Sequence, residues 1–180
     1  EATNFDRIPT FDEIKVDENA AYVHITSNNT IYGTQWHKFP QSNSNLIADM
    51  SSDILCRPLD VSQFKLIYAG AQKNLGPSGV TVVIADKDFL ETGASNLPTM
   101  LDYRTHSKNN SLFNTPPSFA IYMLSLVLEW VQEQGGASAL EKINNEKAQL
   151  LYDVIDESNG FYKGHAQKDS RSIMNVTFTL

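Results

Sequence analysis

Apolar positions along this chain fall into two textures. In its first half they form short runs: Tyr22-Val23-His24-Ile25-Thr26, Leu46-Ile47-Ala48, Phe64 to Tyr68 and Val80 to Ile84. Each run is rich in β-branched residues and bounded by turn-forming clusters such as Ser27-Asn28-Asn29-Thr30. That pattern predicts strands buried on both faces. Between them, residues 37–45 read as a Pro/Ser/Asn-rich loop, and Asp60-Val61-Ser62 as a turn or short helix start. Residues 1–20 are polar, with a turn near Pro9.

From Pro116 the period becomes helical. Thr115-Pro116-Pro117-Ser118 marks a helix start, because proline is tolerated in a first turn. Phe119, Tyr122, Met123, Leu126, Val127 and Trp130 then recur on one face of a helix over 119–133, as core or subunit interface. Gly135-Gly136 ends it. A second helix spans 137–157, with Leu140, Ile143, Leu150, Leu151, Val154 and Ile155 on its apolar side, and Asn159-Gly160 closes it. Residues 173–180 read as a strand. Strands, two helices and a strand suggest the later part of an α/β domain followed by the opening of a second one.

Composition is that of a globular protein: 41% hydrophobic and 19% charged residues. A net charge of −7 gives a nucleic-acid role no electrostatic support. One cysteine excludes an internal disulfide framework and a Cys-rich zinc site. No apolar run approaches the ~20 residues that span a bilayer, and no signal peptide is visible. A soluble, cytoplasmic protein is expected. The chain begins at Glu1 and stops at Leu180 inside an apolar run, as an internal fragment does.

Candidate chemistry concentrates in two places. In Tyr68-Ala69-Gly70-Ala71-Gln72-Lys73-Asn74-Leu75-Gly76-Pro77-Ser78-Gly79, a lysine follows an apolar strand among small residues that let a ligand approach the backbone. Desolvation at such a strand end would make the amine nucleophilic. Asp49 directly follows the Leu46-Ile47-Ala48 strand and should face the same crevice, since α/β sheets bind ligands outside the carboxyl ends of their strands. A lysine that forms a Schiff base and an acid that pairs with a pyridinium nitrogen are the two fixed protein groups of a pyridoxal-phosphate site. Asp53 is better explained by the turn into Ile54. Cys56 with His24, His37 or His106 lacks a nucleophile motif, and the four histidines lack metal-ligand spacing.

The run Ala48-Asp49-Met50-Ser51-Ser52-Asp53 and the Lys73 segment together resemble the phosphoserine aminotransferases, pyridoxal-phosphate enzymes of class V. Asn28-Asn29-Thr30-Ile31, Gly33-Thr34-Gln35-Trp36, Phe113-Asn114-Thr115-Pro116-Pro117, Glu133-Gln134-Gly135-Gly136 and Met174-Asn175-Val176 are similar to further family blocks. The resemblance implies an α/β fold of the pyridoxal-phosphate transferase fold type I, aspartate-aminotransferase-like. Residues 1–135 would be the later part of its large three-layer α/β/α domain. Residues 136–180 would be the linking helix and first strand of the small α+β domain. It implies pyridoxal 5'-phosphate held as a Schiff base on the catalytic Lys73, with Asp49 on the pyridine nitrogen. Thr30 would sit near the phenolic oxygen or phosphate side and Gln72 on the phosphate. Asn114 and Thr115 would reach the cofactor phosphate of a homodimer partner. The implied reaction transfers an amino group between glutamate and 3-phosphohydroxypyruvate, giving 2-oxoglutarate and phosphoserine for serine biosynthesis. Some members also take a related phosphorylated 2-oxo acid of vitamin B6 biosynthesis. The family's stacking aromatic residue and substrate-gripping Arg and His residues have no counterpart here, and Arg171 does not match them, so this fragment alone is expected to be inactive. Two alternatives stand beside this reading: another fold-type-I pyridoxal-phosphate enzyme, and a catalytically inactive fold or association fragment.

Overall fold

The computed structural model describes residues 4–17, 19–40 and 44–180; Glu1 and part of the 37–45 loop lie outside them. The first strands are β1 (Val23–Thr26), β2 (Asn28–Asn29), β3 (Thr34–Gln35), β4 (Leu46–Asp49), β5 (Leu66–Gly70) and β6 (Thr81–Ala85). The helices are α1 (Lys87–Glu91), α2 (Tyr103–Lys108), α3 (Ser118–Glu133) and α4 (Ala137–Asp156), followed by β7 (Lys163–Gly164) and β8 (Phe178–Thr179). A 3-10 turn over Val61–Gln63 starts at Asp60, whose side chain accepts the Ser62 amide hydrogen.

Among the described residues the main sheet runs β1-β4-β5-β6. The first three strands are parallel and β6 returns antiparallel along β5. The carboxyl ends of β1, β4 and β5 therefore share one edge, where Thr26 pairs with Asp49 and Asp49 with Tyr68. One face of the sheet carries Ile25, Ala48, Ile67 and Ala69 into the core, against Met50, Ile54, Phe64, Leu75 and Leu124 of α3.

The opposite face departs from the expectation of strands buried on both sides. His24, Thr26 and Val83 are exposed there, and Ile47, Asp49 and Tyr68 are half-buried. A run of β-branched residues reports that a strand belongs inside a sheet; it does not report whether a second layer lies over it. The aromatic face of α3 is likewise not core in this chain, with Phe119, Tyr122 and Trp130 all exposed. On α4 the buried stripe is Leu140, Asn144, Ala148, Tyr152 and Ile155, while Leu150, Leu151 and Val154 face outward. The stripe is rotated because two polar residues find partners inside. Asn144 Nδ2 donates to the Cys56 carbonyl at 3.1 Å, and the Tyr152 hydroxyl to the Ser172 carbonyl at 2.8 Å.

Residues 173–177 are not a strand; only Phe178–Thr179 pair, with β7. The Ser172 hydroxyl accepts the amide hydrogens of Met174 and Asn175, both at 3.0 Å, and this local turn competes with a ladder.

Candidate active site

The site is built at the carboxyl edge of β1, β4 and β5. After β5 the chain makes one tight turn, in which the Ala71 carbonyl accepts the amides of Leu75 and Gly76 at 3.1 and 2.8 Å. Ala71 and Leu75 are buried, and Asn74 Nδ2 donates to the Ile54 carbonyl at 2.6 Å. With both ends of the turn anchored inward, Gln72 and Lys73 project outward. Lys73 is exposed, so burial does not supply the desolvation expected from the sequence. Its Nζ instead donates to Thr30 Oγ1 at 2.7 Å.

Thr30 follows β2 in a loop where Asn29 Oδ1 accepts the amides of Ile31 and Tyr32, both at 3.0 Å. Gly33 closes this loop at φ +67°; a side chain there would lie 2.6 Å from Thr177 Oγ1 and 2.9 Å from the Asn175 carbonyl oxygen. Asp49 ends β4, as expected. Its Oδ1 accepts from the Ser51 amide at 2.9 Å and the Ser51 hydroxyl at 2.6 Å. The same hydroxyl receives the Gly70 amide at 3.0 Å, tying the acid to the end of β5. Gln72 folds its carboxamide over Gly70, where a Cβ would stand 2.7 Å from Oε1.

Thr30 and Lys73 are thus in direct contact, with Asp49 at the end of β4 and Gln72 in the turn after β5. Asn114 and Thr115 are exposed in the loop before α3, where Asn114 Nδ2 donates to the neighbouring Thr115 carbonyl at 3.2 Å. They are not brought onto this chain's own Lys73 group.

Below the site lies a polar core that sequence reasoning missed. Asp53 is buried and accepts from the Ser27 hydroxyl and, at 3.0 Å, from Gln35 Nε2. Burial pushes its carboxyl pKa up, against the lowering effect of those two donors. Asn28 donates to Ser52 Oγ at 2.9 Å and to Asn175 Oδ1 at 2.7 Å, and its own Oδ1 accepts from Ser172. The role of Ser51 was detectable: an Asp followed two residues later by Ser is the pattern of a side-chain-closed turn. Cys56 is buried, and burial, aided by Asp53, drives its thiol up to about 12, which makes it inert. Among the described residues no His/Cys/Asp/Glu cluster could hold a metal ion.

The family model described as Aminotransferase class-V matches residues 5–180. The chain belongs to the class-V aminotransferase family. It is similar to the phosphoserine aminotransferase of Geobacillus kaustophilus (strain HTA426), with 70% identity over 98% of this chain and 49% of that protein. A crystal structure of PLP-bound phosphoserine aminotransferase from Trichomonas vaginalis superposes with a TM-score of 0.92 at 40% identity, covering 98% of this chain and 52% of that one. The aspartate aminotransferase of Thermus thermophilus matches at a TM-score of 0.77 on 20% identity, over 96% of this chain and 51% of that one. The mixed α/β sheet is accordingly that of the aspartate-aminotransferase-like fold type I. This class-V chain spans about half the length of the curated relatives it matches.

Proposed function

We propose that these residues are the cofactor-anchoring centre of a pyridoxal-phosphate-dependent phosphoserine aminotransferase. The contact that supports this reading most directly is Lys73 Nζ on Thr30 Oγ1 at 2.7 Å, at the same sheet edge as Asp49. The donor set fits the group: an exposed amine for its aldehyde carbon, a hydroxyl beside the amine, a turn-fixed carboxylate for the ring nitrogen, and the Gln72 carboxamide for the phosphate.

Pyridoxal phosphate, when bound, supplies a carbonyl carbon for amines and a protonated ring that accepts electrons from the substrate α-carbon. Lys73 would hold it at rest through its amine, and the freed amine would be the base that carries the substrate α-proton. Thr30 orients the lysine amine through its hydroxyl. Asp49, held by Ser51, would pair with the ring nitrogen. Its hydrogen bonds from an amide and a hydroxyl fix the carboxylate in place. In the whole protein Asn114 and Thr115 complete the phosphate cradle of a homodimer partner.

The substrates are glutamate and 3-phosphohydroxypyruvate, the route is serine biosynthesis and the location is the cytoplasm. Residues 1–135 belong to the large domain and residues 136–180 to the linking helix and start of the small one. The turn at Gly135 and Gly136, both at positive φ, supports that boundary. Borohydride reduction of the whole protein with its cofactor, followed by peptide mass mapping, tests the centre. A pyridoxyl label on Lys73 is expected; a label on any other lysine overturns it.

A further inference from the structure

His24 on β1 and Tyr68 on β5 flank β4, the strand that ends in Asp49. Their rings lie nearly parallel, with centroids 5.9 Å apart and planes at 25°. His24 Nε2 and the Tyr68 hydroxyl are hydrogen-bonded at 3.0 Å. Tyr68 and Asp49 are direct partners across the β4–β5 ladder, so phenol and carboxylate stand side by side on the same face. Partial burial pushes the Tyr68 pKa up, and the charge of the neighbouring Asp49 adds to this, with Tyr103 a smaller contributor.

We propose that Tyr68 is a positioning residue for Asp49: its phenol donates to the carboxylate, while His24 donates its Nε2 hydrogen to the phenolic oxygen. An ionised carboxylate is a stronger acceptor than a neutral imidazole, which sets the direction of the chain. Ser51 already holds Oδ1 from the turn side. A donor from the neighbouring strand fixes the carboxylate's remaining rotation without adding a competing charge. The imidazole, donating into the phenol, polarises it and strengthens the second bond. This inference rests on the reading of Asp49 as the partner of the ring nitrogen.

The test uses the full-length protein, stripped of cofactor and titrated with pyridoxal phosphate, with Tyr68→Phe, Asp49→Asn and the double variant compared. The readouts are the dissociation constant and the pH midpoint of the bound cofactor's absorption change. Tyr68→Phe keeps the ring and should weaken binding about tenfold, the effect of one lost hydrogen bond to a charged group, and shift the midpoint. In the Asp49→Asn background it should do neither. If Asp49→Asn leaves both readouts unchanged, the reading of Asp49 fails, and this inference with it. If Asp49→Asn weakens binding while Tyr68→Phe stays within twofold, Asp49 stands and the inference is overturned. An equal Tyr68→Phe effect in both backgrounds also overturns it, since Tyr68 then acts on the fold. Should Tyr68→Phe not fold, His24→Gln and His24→Leu carry the test. Binding retained in the first and weakened in the second is expected; identical behaviour overturns it.

Discussion

Gly70→Ala separates the proposed phosphate contact from the rest of the site. Gly70 lies at the end of β5 and is not at positive φ, so the backbone accepts alanine there. The added Cβ would stand 2.7 Å from Gln72 Oε1 and 2.9 Å from Nε2. Ordinary contact needs roughly 3.5 Å, so the carboxamide must retreat by about 0.5–1 Å or swing away. Because it is the far end of an exposed, flexible side chain, the fold pays little, and the entropy change of Gly→Ala offsets about 0.4–1 kcal/mol. A hydrogen bond from that carboxamide to a phosphate is charge-assisted and contributes about 1.5–3 kcal/mol. Its loss raises the dissociation constant of pyridoxal phosphate by roughly tenfold to a hundredfold. Titrating the cofactor-free full-length variant with pyridoxal phosphate and, in parallel, with unphosphorylated pyridoxal isolates the contribution. Pyridoxal should bind the variant and the parent alike. Equal weakening of both ligands, or no weakening of pyridoxal phosphate, would refute the placement of Gln72 on the phosphate.

Two further outcomes concern the ground beneath the site. Asp53→Ala leaves Gln35 Nε2 with only a 3.6 Å approach to Cys56 Sγ, whereas Ser27 keeps the Asp49 carbonyl at 3.0 Å. One orphaned donor plus a small void should cost about 2–4 kcal/mol in urea unfolding, and a loss under about 0.5 kcal/mol would refute the network's importance. Because burial raises the Asp53 pKa in the fold, the native state binds its proton more tightly than the unfolded chain. Its contribution is full below the unfolded carboxyl range and is lost as pH rises through the raised value. The stability of the parent relative to Asp53→Asn should therefore fall from acid to neutral pH, and a relative stability that rises contradicts the assignment. Gly33→Ala combines a φ of +67° with a 2.6 Å clash on Thr177 Oγ1. It should cost about 1–3 kcal/mol and lower the melting temperature; an unchanged melting curve counts against the tight fit of the Thr30 loop.

The main strands and the placement of Asp49 and Lys73 at strand ends were readable from the chain because they depend on local pattern. Leu46-Ile47-Ala48 ends in Asp49, and the small residues around Lys73 follow a strand, so both fall on one sheet edge. Tyr68 and His24 were invisible as a pair because their meeting depends on which strands are neighbours. Asp53 looked like a turn residue since its partners, Ser27 and Gln35, lie well upstream. The five- and six-residue helices α1 and α2 are too short to show a helical period. Residues 173–177 have strand composition, but Ser172 and the Asn28–Asn175 bond divert their backbone, and a side chain's distant partner does not register in a window of neighbours.

The bonds from Asn28 to Ser172 and Asn175 also bear on the order in which this protein matures. They join residues 144 and 147 positions apart. As the chain leaves the ribosome, β1, β4 and β5 can pair early, because each follows the last. Asn28, whose loop carries Thr30, gains its distal partners only when the 172–175 segment arrives. Such a distant closure is slow to form, since the entropy of a long loop is lost before its contacts form. The sheet edge that carries Asp49 and Lys73 is therefore completed late, and Lys73 is synthesised long before its hydroxyl partner Thr30 is locked in place.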